Sequence, residues 1–519
     1  MIWTVLNETD QKIKLVSKGS TDGILPKGSF LTVEDNKSKR KFILRVDESK
    51  QVVPYSPSPL LSDMDLEYLE ADKKCKNEIT AYRVKDVFER DDGMVDFIHP
   101  TSPARRSSQE EINLAMGMGD KGPKVFVSTV HSNQNRVLRD ESGKHITATL
   151  PSDFFYHQTL ICGKTGSGKT VAMKYLAQYF IEEIKGAVLA VNVKDIDFLQ
   201  MDRASVSDDE AVLSEWKSLG MSPHGVSNVT MYMPANRRYE SVKGINYDIC
   251  RKITLDVNQI QPEALTGLLQ GISDKGALNL PGIFRYWRQY EAEKGKARFT
   301  EFVKYFNSKE DSKRFTSISD RGEETPVTIH PGTYDNISRS LESAIDFFDN
   351  SSADSLDYDD VLQQGKMSIL DFSGDKGPRF GSILLRDLLK KIVDAKDAMM
   401  SKVPILIIID EVHQFYSTDS SREALDDIER ICRTGRSKEI GVIFASQSIE
   451  DIPKGIPSVV NTQIFFKTDS SSLKSIGVKI SPEELEGLRK GFAIASIHDL
   501  PQLKILKFPL SLCGVVKNE

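Results

Sequence analysis

The sequence predicts an α/β fold with a mainly parallel sheet, a small β-barrel-like domain in front of it and a helical insertion within it. Three observations carry this prediction. From about residue 150 onward, short apolar runs such as Ile405–Ile409 alternate with helical stretches such as Val171–Lys185, the pattern of strands covered on both faces by helices. Residues 1–55 hold short β-type runs split by turn-forming residues, which suits a small barrel or sandwich. Between Met233 and Met367 the patterns are mostly helical, so that interval reads as an insertion into the α/β core.

Composition narrows the function. The chain has 519 residues, with 69 Lys and Arg against 75 Asp and Glu and a net charge of -6. That balance argues against a protein that holds nucleic acid by bulk positive charge, so any polyanion must meet a local basic surface. With 39% hydrophobic and 28% charged residues, a large buried core and an ordinary surface are expected. The longest apolar run, Ile405–Ile409, is far too short to span a bilayer. The first residues, Met1 to Glu8, lack the basic start and long apolar stretch of a signal peptide. Cysteines 75, 162, 250, 432 and 513 form no CxxC pair, which argues against a disulfide framework or a zinc ribbon. A soluble, cytoplasmic protein without membrane contact is expected.

In chain order, strands are predicted at Trp3–Leu6, Lys12–Val16, Ser29–Val33, Lys41–Val46 and Gln51–Tyr55, separated by turns at 18–23 and 34–38. A helical piece at 63–77 and a strand at 78–84 follow, and 100–123 reads as a linker or loop rich in Pro, Ser, Arg and Gly. The N-terminal domain is placed at 1–112. Core strands are predicted at Thr159–Cys162, Ala187–Val193, Asn228–Met233, Met367–Phe372, Ile405–Ile409, Ile440–Ala445, Gln463–Lys467, Phe492–Ile497 and Leu503–Phe508. Helices are predicted at Val171–Lys185, Ser382–Ala395 and Ser421–Cys432. The core therefore takes 145–239 and 330–500. The insertion takes 240–329, with helical patterns at Glu263–Ile272, Phe284–Glu293 and Thr300–Phe306. Residues 501–519 form a C-terminal strand and tail.

Chemistry concentrates at Gly163-Lys164-Thr165-Gly166-Ser167-Gly168-Lys169-Thr170, which satisfies GxxxxGK followed by Ser or Thr between a predicted strand and a predicted helix. Glycines let the backbone wrap phosphates with its N–H groups turned inward, and the helix start at Thr170–Val171 adds partial positive charge. Lys169 is expected to reach the β- and γ-phosphates of ATP, and Thr170 to offer its hydroxyl to Mg²⁺. Asp410 and Glu411 end the apolar run Ile405–Ile409; Asp410 would hold the Mg²⁺ shell and Glu411 would act as general base on the attacking water. Gln447 ends the strand that begins at Ile440, where it can sense the γ-phosphate or orient water. Arg433 and Arg436 close the helix 421–432. They read either as ordinary helix-end capping or as a finger reaching a neighbouring subunit's ATP.

Two families offer matches for these motifs. Asp410-Glu411-Val412-His413 looks like a DExH superfamily 2 helicase, but too little chain follows Glu411 to build a second core. A one-core enzyme completes its site with another subunit, which predicts a ring. The better resemblance is to the HerA branch of the HerA–FtsK ATPases. It is carried by His157 before the phosphate loop, by Val191-Asn192-Val193-Lys194-Asp195 and by Ile369-Leu370-Asp371-Phe372-Ser373. Arg433-x-Gly435-Arg436, then Gly441 and Ala445-Ser446-Gln447, then Asn461 to Lys467, complete it. Lys467 stands where that family often has Arg, and residues 56–125 align poorly. The resemblance implies a RecA-like P-loop core and a homohexamer that translocates on double-stranded DNA held in its central channel. It also implies a partner effector, a NurA-type or other nuclease or a sirtuin-like NAD hydrolase, in DNA-end processing or bacterial antiphage defence, and a tail that braces a neighbour. The alternative from another class is an ATP-dependent ring scaffold that activates an effector with little net translocation. A conjugative coupling ATPase is a further alternative, disfavoured by the missing N-terminal membrane helices. Arg237-Arg238, Lys294–Arg298 and Lys376–Arg379 are the candidate DNA-facing basic stretches.

Overall fold

Burial alternates along the first strands as a half-buried sheet requires: Trp3, Val5, Ile13, Leu15, Leu31, Val33, Phe42 and Leu44 all point into one apolar cluster. The computed structural model describes residues 3–9, 12–18, 25–52, 76–88, 95–131, 134–193, 197–236, 244–269, 278–374, 377–415, 435–452, 456–468 and 481–516. Six antiparallel strands close around the cluster: β1 (Trp3–Glu8), β2 (Ile13–Lys18), β3 (Phe30–Glu34), β4 (Lys41–Val52), β5 (Lys76–Asp86) and β6 (Pro103–Arg106). Their order around the barrel is β1-β2-β5-β4-β3-β6.

Two expectations are corrected here. The predicted strand 41–46 runs on without a break to Val52 as one 12-residue strand, β4, which takes in Gln51 and Val52 of the second predicted strand, the rest of which lies outside the described residues; a register shift between Val46 and Glu48 and the polar run between them hide its continuity. The stretch 100–123 is not a linker. Within it β6 closes the barrel by pairing with both β1 and β3. The helix Gln109–Met116 follows, started by a capping box between Ser108 and Glu111 and stopped by Gly117 in the left-handed region. Most of the predicted helical piece 63–77 lies outside the described residues; 76 and 77 open β5.

Further along, β7 (Lys124–His131) pairs with β8 (Gln134–Val137) and β9 (Thr147–Thr149). The chain forms two compact units, and the first joins Met1–Ser152 to Phe465–Lys474 and Val478–Pro509.

The second unit holds the α/β core. Its strands are β10 (Thr159–Cys162), β11 (Ala187–Asn192), β12 (Val229–Pro234), β13 (Cys250–Thr254), the hairpin β14 (Arg314–Ile318) and β15 (Glu324–Thr328), β16 (Asp354–Ser355), β17 (Met367–Asp371), β18 (Ile405–Ile409), β19 (Ile440–Ser446) and β20 (Thr462–Phe465). The sheet runs β16-β13-β12-β17-β11-β18-β19-β10-β20, and the neighbours from β16 through to β10 pair in parallel. Every residue of β17, β18 and β19 is buried, as a sheet covered on both faces demands. Helices Lys169–Glu182 and Gly377–Asp397 begin within two residues of the predicted Val171 and five of Ser382. The register aligns strand ends: Cys162 pairs with Ser446, Ile409 with Phe444 and Asn192 with Asp371. The predicted site residues of the phosphate loop, of Asp410–Glu411 and of Gln447 follow these strand ends.

The insertion is less helical than its patterns predict. It supplies β13, the strand next to the edge strand β16 of the parallel sheet, and carries the antiparallel hairpin β14–β15. Its expected helix at 263–272 is a tight turn series over Pro262–Leu269, the last three residues lying outside the described set. The other two stretches are helices, Leu280–Tyr286 running into a wider turn at Trp287–Glu291, and Phe299–Asn307. An aromatic cluster replaces regular layering: Phe299 stacks on Phe348 with centroids 3.8 Å apart, and Phe306 on Tyr334 at 5.0 Å.

After the core, β21 (Phe492–Ser496) and β22 (Ile505–Lys507) belong to the first unit, where β22 pairs with β21 and β7. The C-terminal tail follows. Residues 510–516 lie in the second unit against their own chain, with Ser205 N–H and His224 N–H both donating to Leu512 O. The predicted helix 421–432 lies outside the described residues. Among those described, no helix is long and apolar enough to cross a membrane.

Candidate nucleotide site

The phosphate loop leaves β10 at Cys162 and enters the helix at Lys169. Gly166 and Gly168 take φ values of 77° and 112°, a region that a side chain disfavours. No side chain caps the helix start at Gly168, which leaves its first-turn amides for a ligand. Ser167 Oγ is buried with no hydrogen-bond partner among the described residues. An orphaned hydroxyl inside a glycine-turned loop fits a phosphate group. Lys169 is 5% exposed and its ammonium donates to Gly163 O, so the cation is held within the loop it serves.

One strand, β19, separates β10 from β18. Asp410 and Glu411 follow β18 at 2% and 1% exposure. Glu411 sits at φ 48° and ψ 54°, a left-handed conformation that costs a non-glycine residue about 1–2 kcal/mol. Its own N–H donates to Asp410 Oδ1 at 2.9 Å. From β19, Gln447 Nε2 donates to Glu411 Oε1 at 3.0 Å, and Thr165 Oγ1 of the phosphate loop donates to Gln447 Oε1 at 3.2 Å. Thr165, Gln447 and Glu411 thus form a continuous polar relay across three predicted site elements. His413 Nδ1 stands 3.7 Å from Glu411 Oε2. Lys164 is exposed at the loop tip, while Thr170 and Val171 are half-buried on the first helical turn.

Beneath the loop, burial pushes the Cys162 thiol up to about 12; Lys169 opposes this, and Asp451 and Glu411 reinforce it. Cys162 stays a neutral packing thiol. Sequence reasoning gave no role to the buried cluster one strand further on. There Asp371 Oδ1 accepts Asn192 Nδ2 at 3.0 Å and Ser373 Oγ at 2.7 Å. A polar residue ending each of two apolar strands was the available signal.

Arg436 lies apart from this set. It precedes β19, at the opposite end of that seven-residue strand from Ser446, roughly 20 Å away at strand rise. Gly435 fixes the backbone there: a Cβ would sit 2.5 Å from Ile440 O and 2.7 Å from Gln158 Nε2. The Arg436 side chain is exposed, with Nη2 3.5 Å from Asp153 Oδ2. It does not join the phosphate loop of its own chain. Arg433 lies outside the described residues. Lys467 is exposed.

Two family models match in succession: the central domain of helicase HerA over residues 138–393, and the helicase HerA-like C-terminal domain over 344–466. A "DNA double-strand break repair helicase HerA" of Saccharolobus solfataricus is 23% identical over 88% of this chain and 84% of its own length. The protein of the same name from Sulfurisphaera tokodaii is 26% identical over 31% of this chain, and the match spans about a third of it, 35%. Among solved structures, a bacterial conjugative coupling protein shares 13% identity at a TM-score of 0.44, covering 79% of this chain and 92% of its own. VirB4 of Thermoanaerobacter pseudethanolicus shares 10% at 0.45, covering 76% and 97%. The paired models reach from before the phosphate loop to beyond Gln447 and take in more than half of the sequence, and with them the chain belongs to the HerA helicase family.

Proposed function

We propose that this protein is an ATP-hydrolysing, hexameric translocase on double-stranded DNA, working in the cytoplasm. The observation that carries the proposal is the relay from Thr165 through Gln447 to Glu411. It joins the phosphate-binding loop to the general base by way of the one strand between them. Lys169 and the loop amides hold the ATP phosphates. Thr170 and Asp410 hold Mg²⁺, which when bound neutralises charge developing on the phosphate oxygens. Glu411 orients the attacking water and takes its proton; its buried, partly strained position keeps it from bulk solvent. Gln447 reports loop state to Glu411. Arg436, together with Arg433, acts in trans on the ATP of the next subunit, since its strand end faces away from its own loop.

The relatives' name supports a DNA substrate. With a net charge of -6, the DNA contacts fall to few loops. Lys294, Lys296 and Arg298 are a candidate set, although Lys296 pairs with Glu293 at 2.9 Å. Arg379 Nη1 bonds Ser343 Oγ at 3.0 Å; Arg237, Arg238 and Lys376 lie outside the described residues. The effector partner, a nuclease or a sirtuin-like NAD hydrolase in end processing or antiphage defence, is the outermost part of the proposal and is tested by identifying what co-purifies. The function itself is tested by triplex displacement from blunt duplex DNA with Mg²⁺ and ATP. Displacement that is lost in Lys169→Ala supports a motor. ATP hydrolysis without displacement would instead leave a ring scaffold.

A further inference from the structure

The helix that follows the phosphate loop is buried nearly all round. Ala172, Met173, Leu176, Ala177 and Phe180 are buried, and so are Lys174 and Gln178. One turn apart, those two share a face, and that face meets the C-terminal segment 510–516 and the stretch that holds it. Lys174 Nζ donates to Gly514 O at 2.5 Å. Gln178 Nε2 lies 3.1 Å from His224 Nε2, and His224 N–H is bonded to Leu512 O. The segment is pinned from its other side by Gly514 N–H to Arg203 O and Val206 N–H to Val515 O, both at 2.9 Å.

Gly514 is required at this crossing. It sits at φ +74°, and a Cβ there would lie 3.2 Å from Lys174 Nζ and 3.2 Å from Met201 Sδ. Lys174 is 5% exposed, an ammonium is costly to bury, and burial lowers its pKa to about 8. An apolar residue would pack this helix more cheaply. The seam is polar, specific in register and built on the element whose first turn faces the phosphates.

We infer that Lys174 is a positioning residue for the nucleotide site, coupling the docked C-terminal segment to the phosphate loop through their shared helix. This rests on the ATP reading above. Loop occupancy favours one placement of the helix, and that placement favours docking; the coupling is reciprocal. The segment carries its own reporter. Cys513 is fully buried, with Sγ 3.6 Å from Met201 Sδ, and burial pushes its thiol up to about 12. Undocking returns it to the ordinary, reactive range.

The test is thiol labelling of the full chain, read at Cys513 by peptide mass spectrometry, with and without ATPγS and Mg²⁺. ATPγS binding is measured separately by filter retention. ATPγS is expected to slow Cys513 labelling about fivefold or more while leaving the half-buried Cys250 unchanged. Lys174→Met is expected to label about fivefold faster and to lose the ATPγS dependence while still binding ATPγS; Lys174→Arg, which keeps the charge, restores part of it. Binding without any change at Cys513 overturns the inference and leaves the ATP reading standing. Absence of binding overturns both. Wild-type labelling and protection in Lys174→Met overturns the role of Lys174. If that variant fails to fold, the wild-type comparison alone decides.

Discussion

Glu411 is held by a neighbour on each side, and that arrangement sets what its loss should do. On the proposed mechanism, Glu411→Gln removes the proton acceptor but leaves Asp410 and the loop in place. ATP binding is expected to persist, while turnover falls by about 10²–10⁴, as measured by steady-state hydrolysis beside equilibrium binding. Lys169→Ala is expected to lose both. Thr165→Val tests the relay: removing one hydrogen bond costs about 1 kcal/mol, so kcat should drop roughly fivefold with ATP affinity within about twofold. Equal loss of affinity and kcat would make Thr165 a simple phosphate ligand. These residues were legible in sequence to different degrees, for a physical reason. Phosphate cradling needs contiguous residues, so Gly163–Thr170 announces itself. The relay, the Asp451 influence on Cys162 and the Lys174–Gly514 bond depend on strand register and on segments hundreds of residues apart, and no local pattern encodes them.

At the scale of elements, periodicity worked where burial was uniform. The run Ile405–Ile409 became a fully buried strand with the same limits. There, Ile407→Ala should cost about 2–5 kcal/mol in urea unfolding, whereas Leu114→Ala, at an exposed helix position, should stay within about 0.5 kcal/mol. Comparable losses at both sites would contradict the layered core. Periodicity failed where strands are short and rich in polar residues or proline. Pro103–Arg106 contributes mainly backbone pairing to the barrel, and β13 is half exposed with only Ile253 and Thr254 buried. The aromatic packing of the insertion was equally silent, because it joins Phe299 to Phe348 across a long interval.

At the scale of the whole molecule, one chain carries one phosphate loop and presents Arg436 at the far end of β19, so activity should belong to the ring. Arg436→Ala is expected to bind ATP and assemble, yet lose most hydrolysis, since trans-acting arginines contribute about 10³–10⁵ in turnover. Mixing it with Lys169→Ala should restore part of the rate, because some interfaces then pair an intact loop with an intact arginine. Near-normal turnover of Arg436→Ala would leave helix capping as its role. DNA stimulation should be indifferent to sequence and fall steeply between about 50 and 200 mM salt; a strong sequence preference or a flat salt response would argue against phosphate-led contacts.

The first compact unit draws on residues 1–152 and again on 465–474 and 478–509, with the core between them. During synthesis the ribosome therefore delivers the barrel early, yet β7 waits for β22, which emerges only after the entire nucleotide core has been made. A nascent chain must carry that unpaired edge through most of its translation, exposed to other strands or sheltered by a chaperone. A premature stop between Gln447 and Phe492 would thus leave every phosphate-loop residue in place while withholding β21 and β22 of the first unit and the segment that docks at Lys174. Such a product should be degraded or aggregate rather than persist as a shortened ATPase.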